Sequence, residues 1–438
     1  MEEFLRTLLK KYKISFFLQS AIIILFNSSV LYANNNSLDP ANIGIKSNST
    51  FRLSQVIDLK GQILKMPNGV KIVLNGGLFC NGVIIGQNTA ISGEEIAFDK
   101  VNIQGSWNVK KISTKLFADL KYANSLKDVF SLSSPNVDNL VFIEDGNYRV
   151  SVEKDEDICL QVVSNTKLII NGTIRLNANK YGKYDIIRAE GENIYIGGNG
   201  TIIGDREEHK GKLGEWGMGI RIDRCNDISI SGLKIRNCWG DCIYVGGNSK
   251  NVLIEQCSLE RSRRQGISVT KASGVTIKNC AIANISGTNP QCAIDIEPNK
   301  SDSVDKIQID KVSIKDCEGG ILVTRRAQKD GAVVPWVGQV SVRNCILKTK
   351  SKVPMRINRC ETINIENNKF YFFNGKAAIA VNNVENAVIR YNTLFVRNNI
   401  FDSAKNIGRL LLGESVIEPI SIKKVKQTVI KQNDIIEQ

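Results

Sequence analysis

The sequence predicts an all-β protein folded as a right-handed parallel β-helix, a solenoid in which each repeat forms one coil. Short strands of alternating apolar and polar residues recur along the chain, so one face of each strand is buried and the other is solvated. In one set of strands the equivalent residues lie 23, 24 and 27 positions apart, at Ile220, Ile243, Ile267 and Ile294. A second set alternates with the first and has equivalent residues at Ile230, Ile254, Ile277, Ile309, Val342, Ile365 and Ile389. Two strands that return once per ~20–30 residues are typical of a solenoid. A propeller or a sandwich would instead need hairpin turns between neighbouring strands.

The 438 residues, 42% of them apolar, are enough for a long core. We predict a signal peptide over 1–33, a β-rich region over 34–111, a capping helix over 112–132, the β-helix over 133–400 and a C-terminal cap over 401–438. The β-rich region, with short apolar runs between Asn-Gly turns, forms either the first coils or a small cap domain. In 112–132 the apolar residues change to a helical period, and a helix there would cover an open end of the solenoid.

The first 33 residues have the pattern of a secretory signal. Arg6 and three lysines precede an apolar run over 14–30, and Ala33 is followed by a polar stretch. This order is typical of a signal peptide cleaved after Ala33, with an uncleaved anchor as the alternative. We therefore expect export to the periplasm, the extracellular space or the cell surface. No later run is long and apolar enough to span a membrane.

The formal net charge of +14 indicates a polyanionic partner, such as an acidic polysaccharide, nucleic acid or a membrane surface. A generally basic surface without a partner is the alternative. Nucleic acid is disfavoured because the basic residues are not interleaved with aromatic residues along the predicted outer face.

The eleven cysteines follow the repeat, which favours buried thiols over disulfides. Cys257, Cys280 and Cys345 each lie three residues after an equivalent residue of the second set. A column of small apolar residues fits the interior of a β-helix. Metal binding by the cysteines is not expected, because no Cys-x-x-Cys pair or histidine cluster accompanies them. The single histidine is His209.

The segment Gly240-Asp241-Cys242-Ile243 resembles the Gly-Asp-Asp-Cys-Ile segment of polygalacturonases, with Asp241 at the second aspartate. One coil later Gln265-Gly266-Ile267-Ser268 resembles their Ser-His-Gly-Ile-Ser, with Gln265 in place of the histidine. One coil earlier Met218 stands where the family has an aspartate. The chain thus resembles the pectin-lyase-like superfamily of β-helices. The resemblance implies action on a polysaccharide, often a uronate, but Asp241 alone matches the polygalacturonase acid–base set.

The alternation predicts which side chains lie on the outer wall. With the isoleucines of the first set inside, the positions one and three later point outward. Because stacked coils are ~4.8 Å apart, we expect one contiguous strip, with Asp241, Arg263 and Arg264 at the turn that leads into it. The predicted strip contains Arg221, Tyr244, Ser268, Asp295 and Glu297.

Two carboxylates of the strip could act as an acid and base pair. Asp295 and Glu297 are two apart on a strand, ~6.6 Å between Cα atoms, in the range for a pair that encloses a water. A solvated pair, or one neutralised by arginine, is the structural alternative. Arg263 and Arg264 could bind substrate carboxylates in a bidentate manner or hold Asp241 or Asp295.

A loop rich in charged residues interrupts the repeat between 204 and 217. Its His209 could donate or accept a proton near neutral pH, or lie idle on the surface. Trp216 and Trp239, on adjacent coils, could pack against a sugar ring or against the protein. A loop of this composition beside the strip is a plausible functional insertion.

The sequence therefore predicts an exported β-helix that acts on an acidic polysaccharide as a lyase or a glycoside hydrolase. In a lyase Arg221, Arg263 and Arg264 would neutralise the substrate carboxylate, and His209 or Tyr244 would move the proton. In a hydrolase Asp241, Asp295 and Glu297 would serve. The alternative is a non-catalytic glycan-binding or surface protein. No cofactor is evident, although the carboxylates could bind Ca²⁺ without any recognised ligand motif.

Overall fold

The computed structural model describes residues 37–120, 125–299, 301–324, 336–373, 377–397 and 419–437. The predicted signal peptide and the first part of the predicted C-terminal cap lie outside these residues. Within the described ranges nearly all regular structure is strand, and the strand pairings are parallel. The predicted fold class, an all-β parallel β-helix, is confirmed.

The strands of the described ranges form three sheets, which run along the solenoid and share its core. The first, of seven strands, contains Ser37–Leu38, Thr50–Leu53, Val56–Asp58, Ile63–Lys65, Lys71–Leu74, Leu78–Ser92 and Phe98–Trp107. The second, of eleven, contains Asn147–Val150, Thr173–Leu176, Thr201–Ile203, Lys234–Arg236, Ser258–Glu260, Ala281–Ala283, Ser313–Lys315, Ile346–Lys348, Lys369–Phe373, Thr393–Arg397 and Asp434–Glu437. The third, of nineteen, contains Lys111–Ser113, Asn139–Ile143, Asp157–Val162, Thr166–Ile170, Lys183–Gly197, Trp216–Ser231, Ile243–Gly246, Ser249–Glu255, Ile267–Val269, Ala272–Lys278, Cys292–Ile296, Ser303–Asp310, Gly319–Thr324, Trp336–Val337, Gln339–Arg343, Met355–Asn358, Thr362–Glu366, Ile379–Arg390 and Ile420–Lys431.

The third sheet contains both sets of strands that the sequence predicts. Ile220 pairs with Ile243, Ile243 with Ile267, and Ile267 with Ile294, and all four are 0% exposed. The two sets form two adjacent outer walls, and residues of positive φ, such as Gly191, Arg224 and Gly247, lie between them in the chain.

A single left-handed residue turns the chain from the second set into the eleven-stranded sheet. Asn279, Asn344 and Asn367 hold this place in three of the coils, with φ between 53° and 56°, and Lys311 holds it in the coil between Asn279 and Asn344. Asparagine is among the few residues that adopt this conformation readily. The next position points inward and is occupied by Cys280, Cys345 or, further on, a buried asparagine.

All eleven cysteines are free and buried. Burial raises the pKa of Cys159 and Cys317 to about 12, so these thiols stay protonated at neutral pH. The cysteines thus act as small core residues, as the sequence predicts.

The helix predicted over 112–132 is much shorter in the structure. An α-helix spans only Ser125–Ser131, whereas Lys111–Ser113 is a strand of the third sheet and Thr114–Leu116 is a 3₁₀ turn. The other 3₁₀ turn in the described ranges is Pro40–Ile43. The helical spacing was misleading because a strand followed by a tight turn also buries Ile112 and Leu116. The helix packs on Phe98–Trp107, where it covers the edge of the seven-stranded sheet.

The predicted C-terminal cap also differs. In the described residues 419–437, Ile420–Lys431 pairs in parallel with Ile379–Arg390, and Asp434–Glu437 pairs with Thr393–Arg397. This segment is one more coil, because Ile420 and Ile422 continue the columns of Ile379 and Val381. Among the described residues no helix is long and apolar enough to cross a membrane.

Candidate functional site

The parallel register brings the predicted strip residues into one row. Arg221 is the neighbour of Tyr244, Tyr244 of Ser268, and Ser268 of Asp295. The row continues through Arg188 and Gln161 on the first side, and through Leu322, Arg356, Ala380 and Ser421 on the other. We call the part of this row from Arg188 to Arg356 the outer line, and its members are Arg188, Arg221, Tyr244, Ser268, Asp295, Leu322 and Arg356. Six steps of ~4.8 Å give it a length of about 29 Å.

The members of the outer line differ in exposure. Ser268 and Asp295 are each 2% exposed, although they lie on the outer wall. The Arg221 side chain is 13% exposed, whereas Arg356 is exposed. The middle of the line is therefore covered by neighbouring side chains, and its end at Arg356 is open.

Asp241 lies beneath the middle of the line. It is 0% exposed and accepts hydrogen bonds from Ser268 Oγ at 2.6 Å and from Arg264 Nη1 at 3.2 Å. Burial raises the pKa of the Asp241 carboxyl, although Arg264 and Ser268 act to lower it. Asp241, Ser268 and Arg264 are thus assembled in one contact group.

Asp295 is held by a glutamine that the resemblance placed at a histidine position. Gln265 Nε2 donates to Asp295 Oδ2 at 2.9 Å, and Gln265 Oε1 accepts from the backbone N–H of Cys292 at 2.8 Å. Gln265 is 0% exposed, so its amide is fixed by these two bonds. The amide orients Asp295, and it cannot accept and release a proton as a histidine would.

Arg264 links the two buried aspartates electrostatically. Burial acts to lower the pKa of Arg264, but Asp241, Glu215 and Asp295 outweigh it and the pKa is raised. The Arg264 side chain is 14% exposed and its Nε lies 3.8 Å from Glu215 Oε2. The guanidinium therefore bridges a cluster of carboxylates at the middle of the outer line.

Asp185 is a buried carboxylate that the sequence reasoning missed. It is 1% exposed and accepts from Arg188 Nε at 2.7 Å and from Arg221 Nε at 2.9 Å. Arg221 also lies over the Tyr244 ring, 4.2 Å from its centroid, and the Tyr244 hydroxyl bonds to Thr270 Oγ1 at 2.7 Å. An alignment of the coils continued one coil toward the N-terminus would have placed Asp185 beside Met218, its partner in the strand pairing.

Glu297 lies two residues beyond Asp295 and is half-buried. A cavity of about 200 Å³ opens nearby, lined by residues that include Cys292, Leu322 and Arg356. Arg356 and Glu297 both act on the Cys292 thiol, whose pKa burial raises. The cavity thus lies beside the exposed arginine at the end of the line and beside Leu322, the neighbour of Asp295.

His209, predicted as a catalytic residue, has a buried side chain in the structure. Its side chain is 0% exposed, and its Nδ1 lies 2.8 Å from Asp205 Oδ2. Its ring stacks on Trp239 with centroids 3.8 Å apart, and the centroid of the Tyr184 ring is 6.4 Å from that of His209. Tyr184 donates to Asp205 at 2.5 Å. His209 is enclosed because the charged loop folds back on the coils, which its sequence could not reveal.

The two tryptophans have different environments. Trp239 is sandwiched between His209 and Arg263, whose Cζ lies 3.8 Å from the Trp239 ring centroid. Arg263 also donates to the carbonyl of Gly214 at 2.9 Å. Trp216 is 44% exposed. Trp239 and Arg263 thus hold the loop, and Trp216 is the tryptophan of this pair that a ligand could reach.

Comparison with known proteins agrees with the strand arrangement. Residues 218–312 match the family model described as right handed beta helix region. The chain is a right-handed parallel β-helix protein. The match agrees with the right-handed parallel β-helix that the sequence predicts.

Two curated relatives share sequence with this β-helix protein, both from Bacillus subtilis (strain 168). The uncharacterized protein YclG is 36% identical over 143 residues, which cover 28% of this chain and 24% of YclG. The SPbeta prophage-derived uncharacterized protein YorA is 26% identical over 228 residues, which cover 47% of this chain and 36% of YorA. The chain therefore spans well under half the length of these relatives.

Solved structures resemble the β-helix in fold alone. The Azotobacter vinelandii mannuronan C-5 epimerase AlgE6 A-module has a TM-score of 0.44 and 12% identity, over 68% of this chain and 91% of that one. The Yersinia enterocolitica family 28 exopolygalacturonase has a TM-score of 0.41 and 10% identity, over 76% and 79% of the two chains.

Among the described residues no group of three or more His, Cys, Asp or Glu side chains could hold a metal ion. The binding of Ca²⁺ by the carboxylates stays a prediction.

Proposed function

We propose that the β-helix binds an acidic polysaccharide along the outer line and cleaves it with Asp241 and Asp295. The observation that carries the proposal is the row itself. Arginines at both ends flank Ser268 and Asp295, and the buried Asp241–Arg264 pair lies beneath. A length of about 29 Å leaves room for several consecutive sugar residues.

Arginine is the side chain best suited to a polymer that carries carboxylates. Its planar guanidinium donates two parallel hydrogen bonds to one carboxylate. In the described residues Arg356 has no ion-pair partner, whereas Arg188 and Arg221 are held by Asp185. Arg356 would therefore capture a substrate carboxylate first, and the fixed arginines would extend the site.

The carboxyl groups support hydrolysis better than elimination. Asp241 would protonate the glycosidic oxygen as the C–O bond breaks, and Asp295 would take a proton from the water that attacks the anomeric carbon. The raised pKa of Asp241 suits an acid. His209 is enclosed by Asp205 and Trp239, so it supports the role of an eliminating base less well.

Access to Asp241 requires that Arg264 changes partner. A substrate carboxylate near Arg264 would compete with Asp241 for the guanidinium, which is 14% exposed. Binding would then uncover the acid only when an acidic sugar is present. Export from the cytoplasm is part of the proposal, since a long polysaccharide is met outside the cell.

Binding without cleavage is the second candidate function. It is favoured by the burial of Asp241 and Asp295, at 0% and 2% exposed, under side chains that hydrogen-bond to them. In this case the outer line would serve as a docking surface for an acidic glycan.

The test is a panel of polygalacturonate, alginate and polyglucuronate with purified protein. New reducing ends without enoyl absorbance are expected, and enoyl absorbance would identify a lyase instead. Retention of the protein on the polymer without either product would establish the binding protein. If the protein forms neither product and is not retained on any of the polymers, the proposal is overturned.

The variants Asp295→Asn and Arg356→Ala separate the roles. Asp295→Asn should abolish cleavage and keep binding, whereas Arg356→Ala should weaken binding at least about tenfold, the loss of one charged hydrogen bond. Arg343→Ala is the matched control, because Arg343 is an exposed arginine on the adjacent wall. The same assay with and without EDTA tests the predicted Ca²⁺.

A further inference from the structure

The second wall of the third sheet carries a groove that is separate from the outer line. Its volume is about 770 Å³. Its floor runs along one outward-facing row of five coils, which consists of Leu140, Lys167, Tyr195, Ser229 and Leu253. Four steps of ~4.8 Å make it about 19 Å long.

The rim of this groove is a ladder of left-handed turn residues. Asn165, Asn193, Asp227 and Asn251 have φ between 53° and 58°. Asn193 Nδ2 donates to Asn165 Oδ1 at 3.1 Å, and Asn251 Nδ2 donates to Asp227 Oδ1 at 2.9 Å. Each of these two amides has a second N–H, so the fixed ladder offers hydrogen-bond donors along the groove.

Tyr195 provides a flat aromatic surface in the middle of the floor. A methyl group added at Gly197 would lie 2.6 Å from the Cζ and 2.7 Å from the Cε1 of Tyr195, so the ring extends over this glycine. Lys167 Nζ is 5.8 Å from the ring centroid, near the ~6 Å limit of a cation–π contact, so a ligand can displace it at little cost. The ring is only partly buried and is held by the backbone beneath it.

The charge of the groove differs from that of the chain as a whole. Its lining contains two carboxylates, Asp138 and Asp227, and one ammonium, Lys167. The whole chain has a formal net charge of +14. A polyanion would therefore favour other parts of the surface, and an uncharged ligand with many hydroxyl groups fits this groove best.

We infer that the groove binds a neutral oligosaccharide of about four sugar units, with one pyranose ring packed on Tyr195. Apolar contact from Leu140 and Leu253 supports the chain at either end. The amides and Asp227 bond to the sugar hydroxyls. The site is independent of the proposed cleavage at the outer line.

The experiment measures binding of cellotetraose, xylotetraose, maltotetraose and mannotetraose to the full chain by calorimetry. At least one of the four sugars should bind. Its affinity should be the same in 0.5 M NaCl, about three times the physiological ionic strength. Tyr195→Ala should weaken binding at least about tenfold, the worth of one lost aromatic contact. Tyr195→Phe should bind like the wild type. Gly197→Ala should weaken binding with the tyrosine still present.

Two controls keep this outcome separate from the proposed function. Tyr371→Ala removes a tyrosine of another sheet that also has a lysine 5.8 Å from its ring, and binding should persist. Asp295→Asn should leave neutral-sugar binding intact. No binding of any of the four sugars, or equal binding by Tyr195→Ala, would overturn the inference. Loss of binding at high salt would also overturn it, because it would indicate an electrostatic site.

Discussion

Replacing Arg264 by methionine tests the buried ion pair beneath the outer line. Asp241 is 0% exposed, and Arg264 Nη1 lies 3.2 Å from its Oδ2. Removing one partner of such a pair leaves a buried charge and typically costs about 3–5 kcal/mol. We expect the lower end, about 3 kcal/mol at pH 8, because the Ser268 hydrogen bond remains and Arg221 also acts on Asp241.

The pH dependence gives this prediction its sign. The folded-state pKa of Asp241 lies above its ordinary value, so the folded chain holds this proton more tightly than the unfolded chain. The protonated Asp241 carboxyl therefore contributes to the free energy of unfolding at low pH, and this contribution is lost as the pH rises through the folded-state pKa. Without Arg264 that pKa rises further. The deficit of Arg264→Met should therefore be largest at pH 8 and shrink toward pH 5.

The assay is urea unfolding followed by tryptophan fluorescence at pH 5 and pH 8. Adding Asp241→Asn to Arg264→Met should recover most of the lost free energy of unfolding at pH 8, because no buried charge remains. The reasoning is refuted if Arg264→Met is as stable as the wild type at pH 8. It is equally refuted if the deficit is independent of pH and of Asp241→Asn.

Three further substitutions test the fold. Burial raises the pKa of Asp128 to about 6, so the wild type should lose stability as the pH rises through about 6. Asp128→Asn should be more stable than the wild type by up to about 2 kcal/mol at pH 8 and not at pH 4, a shift of about 2 pKa units discounted for partial exposure. Asn392→Ala should lower the free energy of unfolding in urea by about 2–4 kcal/mol, because Asn392 is 0% exposed and accepts from the N–H and Nδ2 of Asn368. A loss below about 1 kcal/mol would contradict the role of these buried hydrogen bonds. Gly266→Ala should lower the free energy of unfolding by about 1–3 kcal/mol, because the added methyl group would lie 2.5 Å from the Ala293 carbonyl oxygen. An unchanged urea midpoint would contradict this prediction and would show that neighbouring coils move apart at little cost.

The repeat period was sufficient to predict the fold and the outer line. A column of isoleucines fixes which residues point outward, because side chains alternate along a strand and coils stack at one spacing. Tyr244, Ser268 and Asp295 are therefore neighbours in one row of the structure, as the sequence predicts. The same rule, carried one coil further back, gives Arg188, whereas Asp185 lies two residues before Ile187, as Asp241 lies two before Ile243.

Burial and enclosure could not be predicted from the period. Ser268 and Asp295 are buried and hydrogen-bonded to side chains that come from the turns, Asp241 and Gln265, and turn geometry is not periodic. His209 lies in a loop outside the repeat, and its contact with Trp239 depends on how that loop folds back. The short helix was overpredicted because a strand with a tight turn buries the same apolar residues.

The site at the outer line is tested most directly by a crystal structure of the Asp295→Asn variant soaked with a polygalacturonate oligosaccharide. The sugar chain should lie along the outer line, with a carboxylate bound to Arg356 and a glycosidic oxygen beside Ser268 and Asp241. An oligosaccharide bound on another face, or a line left empty at a saturating concentration, would contradict the account.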